Sequence, residues 1–198
     1  MFTRLSNFTY GNYQIANLKE TQNNVDTQLL IQIQKYEREC LQMLLPNSVY
    51  AELMANVELD SDGLYWKIKD DADDKWDYFI NGNSYDDGCG LVNWRGIVTK
   101  VATIQGKEVI ESMFAPYIFF QYSLNTRTLN TGVGEARMRA ENVTQESSSN
   151  KRVDAWNEFV KWADFGFSQT NVSMNQFLSS QFECLQLKSL NTMTYYDI

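Results

Sequence analysis

The sequence predicts a mainly α protein: a small helical bundle with an inserted β-hairpin or loop excursion and extended terminal arms. Three observations predict it. Apolar residues recur at helical spacing near residue 30 and again near residue 155. Residues 56–98 break that pattern with clustered Asp, Asn and Gly around short aromatic runs. The two ends carry aromatics with no helical face to hold them.

The elements follow in order. Residues 1–23 are polar and Asn-rich, with Phe2, Phe8, Tyr10 and Tyr13 at no clear period, and read as an extended arm. Residues 26–45 predict a helix, because Leu29, Leu30, Ile33, Tyr36, Cys40, Leu41 and Leu44 share one face. Asn24 or Asp26 caps its start and Pro46 ends it; Asn47 or Ser48 opens a short second helix to about Met54. In 56–98 Asp, Gly and Asn alternate with the short aromatic runs Leu64-Tyr65-Trp66 and Trp76–Ile80, and with Asn81-Gly82 as a turn dipeptide the segment reads as a β-hairpin or a loop excursion with short strands. From Val101 to Leu124 apolar residues are dense enough for a buried helix, kinked at Pro116. Residues 125–146 suit a loop or strand. A long helix begins near Lys151 behind Ser147–Asn150, and a further helical stretch runs over Met174–Leu185 before the tail. The expected core joins Leu30, Ile33, Phe114, Ile118, Trp156 and Phe159.

These readings divide the chain into an N-terminal arm (1–23), a helical domain (24–187, with 56–98 as an acidic aromatic insertion) and a C-terminal tail (188–198). A length of 198 residues fits one domain with appendages, and 43% hydrophobic residues supply its core. No apolar run is long enough to cross a membrane. Met1-Phe2-Thr3-Arg4 lacks the layout of a signal peptide. Three scattered cysteines, Cys40, Cys89 and Cys184, suit buried thiols in a reducing cytosol rather than a disulfide framework.

The net charge of -8 is concentrated: residues 56–87 hold ten acids against three lysines, or -7, leaving -1 elsewhere. No basic patch offers the phosphate contacts of a tight nucleic-acid binder, so DNA is expected only in transient, non-specific proximity.

Most catalytic chemistry lacks its residues. With no histidine, every His-dependent base, triad and metal site is excluded. Gly106-Lys107 is followed by Glu108 and has Val101 where a P-loop needs glycine. Glu58, Asp60, Asp62 and Gly63 begin like a calcium loop, but its twelfth position is Lys69. We therefore expect no enzyme activity, no cofactor and no metal. The run Asp70, Asp71, Asp73 and Asp74 reads as an acidic face.

The order of elements resembles a head–tail connector of the neck of tailed bacteriophages, of the type found in Bacteroidetes phages. The residues that carry the resemblance span roughly 24–165. They are the helix Leu29–Leu44 with its Pro46-Asn47-Ser48-Val49-Tyr50 break, Trp94-Arg95-Gly96-Ile97 read as opening a long helix, Asn125-Thr126-Arg127 before Thr131-Gly132-Val133, Glu141-Asn142, and Ala155-Trp156-Asn157. The resemblance implies a virion protein in a dodecameric ring. Such a ring binds the portal and other neck or tail proteins, gives DNA a passage and contacts no membrane. On that reading Phe8, Tyr10, Tyr13, Trp66, Trp76, Phe79, Tyr195 and Tyr196 are interface candidates, and the four aspartates face the channel or solvent. A second reading is a small regulator or assembly chaperone that binds protein through the aromatic hairpin.

Overall fold

The computed structural model describes residues 1–9, 11–15, 24–104, 107–125, 129–131, 134–136, 148–168, 170–182 and 187–194. Its backbone follows the predicted helices at both ends of the bundle. Helix α1 spans Asn24–Leu44 and α2 spans Asn47–Ala55, separated at Pro46, whose ring cannot continue a helix. Helix α5, Ser148–Val160, passes into a π turn over Lys161–Phe165 and stops at Gly166; α6 is Met174–Gln181. Ser173 caps α6, its hydroxyl accepting from the Gln176 amide while the Gln176 side chain accepts from the Ser173 amide.

Between these ends the expectation of a mainly helical bundle is overturned. Of the described residues, 52% are helical and 17% strand, a mixed α/β fold. Strands β1 (Val57–Leu59) and β2 (Trp66–Ile68), then β3 (Asn83–Asp86) and β4 (Leu91–Trp94), form two antiparallel ribbons. Helix α3 (Asp74–Asn81) lies between those ribbons. Strands β5 (Val98–Ile104) and β6 (Lys107–Ser112) form a third ribbon, and β7 (Leu129–Thr131) pairs with β8 (Gly134–Ala136) in a short fourth.

The helix predicted over 101–124 is thus half ribbon. Val98, Thr99, Val101, Thr103 and Ile104 are β-branched, and such side chains pack better on a pleated strand than on a helix. Only Phe114–Asn125 is helical, as α4. Pro116 is its third residue, where an amide has no intrahelical acceptor to lose, so it opens the helix rather than kinking it. Trp94-Arg95-Gly96-Ile97 opens no helix; it joins β4 to β5. The run Trp76–Ile80 is helical, not extended, because Trp76, Phe79 and Ile80 recur on one face and the Asp73 carboxylate caps the Lys75 amide. Asn81-Gly82 ends that helix instead of making a hairpin turn. Gly82 (φ +88°) and Gly96 (φ +82°) lie back to back, and a Cβ on Gly96 would come within 2.5 Å of the Gly82 nitrogen.

Helix α4 packs between α1 and α5. It is apolar on all sides, which suits a central helix with neighbours on both flanks. Ile33, Phe114, Ile118 and Phe159 are fully buried in this bundle, with Leu30 and Trp156 packed half-exposed at its margin. The acidic segment is no excursion. Trp76, Phe79 and Trp94 are 0% exposed and join Phe177 of α6 in an aromatic cluster continuous with the bundle core.

The described N-terminal residues are not an extended arm. They form 3₁₀ turns (Leu5–Phe8, Gly11–Tyr13) on the body of their own chain. Phe2, Phe8 and Ile15 are buried, and the Phe2 and Thr3 amides donate to both oxygens of the buried Glu37 carboxylate at 2.8 and 2.7 Å. The described tail folds back as well. The Met193 amide donates to Asn157 Oδ1 at 2.8 Å, and Trp156 Nε1 donates to the Asn191 carbonyl at 2.8 Å.

Candidate functional site

The acidic lobe is built from β1 to β4 with α3, and its charges are arranged by local backbone chemistry. The turn joining β1 to β2 holds Asp60, whose carboxylate accepts the Leu64 and Tyr65 amides at 3.2 Å each. Against the desolvation that raises it, these amides together with those of Asp62 and Gly63 keep it below the usual carboxylate range. A tight turn therefore occupies what the sequence offers as a calcium loop. Among the described residues no group of three or more acids and cysteines is placed to hold a metal ion.

The lobe's three lysines are engaged within the chain, one on the lobe itself and two on α2. Lys67 pairs with Glu58 at 2.7 Å, Lys75 with Glu52 at 2.5 Å, and Lys69 donates to the Ala55 carbonyl at 2.6 Å. Asp70, Asp71, Asp73 and Asp74 are all exposed. Asp73 has a structural duty as the cap of α3, and Asp74 favours the positive end of that helix dipole. At the far end, Asp86 accepts the Gly88 amide and Asp87 the Cys89 amide, both at 2.9 Å. The β3–β4 tip is thereby a preset loop carrying two carboxylates and an exposed thiol.

Of the five predicted interface aromatics among the described residues, three are fully buried in their own chain. Phe8, Trp76 and Phe79 are 0% exposed. Tyr13 packs on Phe119 with ring centroids 5.7 Å apart, and burial beside Glu158 pushes its phenol up. Trp66 is half-buried against the core at the edge of β2. Tyr10, Tyr195, Tyr196 and Cys184 lie outside the described residues. Cys40 is buried, and desolvation raises its thiol well above the ordinary value, an inert state.

The surface that faces outward is apolar at places the sequence did not single out. Leu91 is 71% exposed at the β3–β4 tip, Ile31 60% on α1, Leu59 47% on β1 and Phe165 60% in the π turn, with Val101 and Leu124 exposed on β5 and α4. Ile31 and Leu59 border a groove of about 460 Å³ between α1, α2 and the β1–β2 ribbon. Leu41, Met54 and Trp66 line it further, while Lys35 and Arg38 stand on its α1 wall. Ile31 sits off the buried face of α1, a position legible from helical phase. The exposure of Leu91 has no comparable signal in sequence, since a strand-end leucine is as often covered.

No helix among the described residues is long and apolar enough to cross a membrane. No family model, curated protein or solved structure matches this chain.

Proposed function

We propose that this chain is a structural subunit of the neck of a tailed phage. In this reading it forms a ring that binds the portal, contacts the next neck or tail component and encloses a passage for DNA. The observation that carries the reading is the spread of exposed apolar side chains. Ile31 and Leu59 border one groove, while Leu91, Val101, Leu124 and Phe165 lie outside it on four different elements. Lone exposed apolar residues are ordinary, but an apolar groove together with apolar side chains elsewhere on the surface suits a ring subunit, which must meet neighbours on two flanks and other proteins above and below.

The acidic lobe fits the same role. Clustered exposed carboxylates beside a passage repel phosphate and keep a duplex from adhering, over the roughly 8–10 Å that physiological salt leaves unscreened. The regulator reading is weaker, because Trp76 and Phe79, the aromatics it would present to a partner, are fully buried.

The test is electron microscopy of the chain purified together with the portal protein of its own particle. A closed ring of copies on the portal is the expected result. A lone copy on the portal, or a chain that never binds it, overturns the proposal.

A further inference from the structure

We propose that the β3–β4 tip of one copy docks into the α1–α2–β1 groove of the next, as the repeating head-to-tail contact of the assembly. The inference rests on the ring reading and deepens it by naming the contact.

The two surfaces complement each other in shape and charge. The tip presents Leu91, 71% exposed, beside the Asp86 and Asp87 carboxylates. The groove offers an apolar bed of Ile31, Leu41, Met54 and Leu59, with Lys35 and Arg38 on the α1 wall. Of the acids on the opposite side, Asp60 is turned into its own loop by the Leu64 and Tyr65 amides; Asp62 follows in the same turn. Glu37 lies beneath the groove, occupied by the Phe2 and Thr3 amides. Lys35 pairs weakly with Glu39 at 4.0 Å and lies over the Tyr36 ring, 5.3 Å from its centroid. An apolar knob flanked by two acids thus meets an apolar bed flanked by two bases.

The tip needs little ordering to bind. The Asp87 amide donates to the Gly90 carbonyl at 3.2 Å, and Asp86 and Asp87 each brace an amide two residues on. A preset loop loses less freedom on docking than a flexible one. Knob and groove are different patches of one chain, so the contact is heterologous. Repeated with a rotation that closes, such a contact builds a ring.

Cys89, exposed within the tip, provides the probe. Gln34 lines the groove and is exposed, so a Gln34→Cys variant places a second thiol there. Mild oxidation of the concentrated full chain should give disulfide-linked dimers, trimers and higher species. Adding Cys89→Ser should abolish them, which separates this link from any through Cys184. Links confined to dimers, links closed within one chain, or no Cys89-dependent link would each overturn the contact.

A second measurement uses Asp86→Asn with Asp87→Asn, which keeps an acceptor for each braced amide but removes the charge. Self-association measured by sedimentation should weaken about tenfold for Leu91→Ala. The neutralised tip should lose most of the salt dependence seen in the parent. Association unchanged by both variants would also overturn it. A ring on the portal that lacks the Cys89 link would remove this contact while leaving the ring reading standing; absence of the ring would remove the ring reading itself.

Discussion

Trp94 is where the acidic lobe is fastened to the helical body, and its removal tests whether the two are one cooperative unit. The indole is 0% exposed, lies parallel to Phe177 at 5.6 Å and to Phe79 at 6.5 Å, and donates from Nε1 to the Phe79 carbonyl at 3.0 Å. Truncating a buried Trp to Ala costs about 3–5 kcal/mol through lost transfer energy and the cavity left behind. The hydrogen bond adds little, because the Phe79 carbonyl still accepts the Ile97 amide at 3.2 Å and is not orphaned. Trp94→Ala should therefore cost about 4 kcal/mol, lowering Tm by roughly 8–16 °C in a chain of this size. Trp94→Phe keeps a ring in the stack and should cost about half as much. A double-mutant cycle with Phe177→Leu should return a coupling of about 0.5–1.5 kcal/mol. The assay is denaturant unfolding followed by near-UV and far-UV circular dichroism. A cost below about 1 kcal/mol would refute the fastening. Two separate transitions in the unmutated chain would show that the lobe unfolds alone.

Three further outcomes are expected. Deleting residues 1–9 removes Phe2 and Phe8 from the core and strips two amide donors from buried Glu37, so the chain should lose cooperative unfolding; a folded monomer with unchanged Tm would restore the detachable arm. Asp164 is held below the usual carboxylate range, against the desolvation it suffers, by Ser189, Asn175 and the Leu190 amide. Its depressed value contributes stability above the unfolded-state pKa that disappears as pH falls through the folded one. Acidification through that window should raise amide exchange at residues 189–193, and Asp164→Asn should flatten that pH response; identical exchange profiles would refute the clasp. Asp70, Asp71, Asp73 and Asp74 changed together to Asn should leave stability within about 2 kcal/mol, since all four are exposed and Asn still caps α3. On the ring reading proposed above, particles carrying that change should eject DNA more slowly; an unchanged rate would place the acids away from any passage.

The sequence by itself determined those features that depend on neighbours a turn or less away. The buried face of α1, its stop at Pro46 and the capped start of α6 are local chemistry, and they appear where period and capping residues put them. Helix α3 was equally written in the chain, in its Asp73 cap and the Trp76–Phe79–Ile80 spacing. It was obscured because aromatic-rich runs also suit strands. Residues 98–112 show the limit of density as a signal: a buried helix and a β-branched ribbon carry nearly the same apolar content, and the ribbon is stabilised by pairing across the turn. Only the tertiary structure decided that Phe2 and Phe8 are interior, since the Leu5–Phe8 turn lies against α1, α4 and β6 and the Phe2 amide is held by Glu37 of α1. It decided equally that Leu91 and Ile31 stay outside. Burial is a property of what the rest of the chain covers, and a leucine on a strand carries no local mark of whether anything will lie over it.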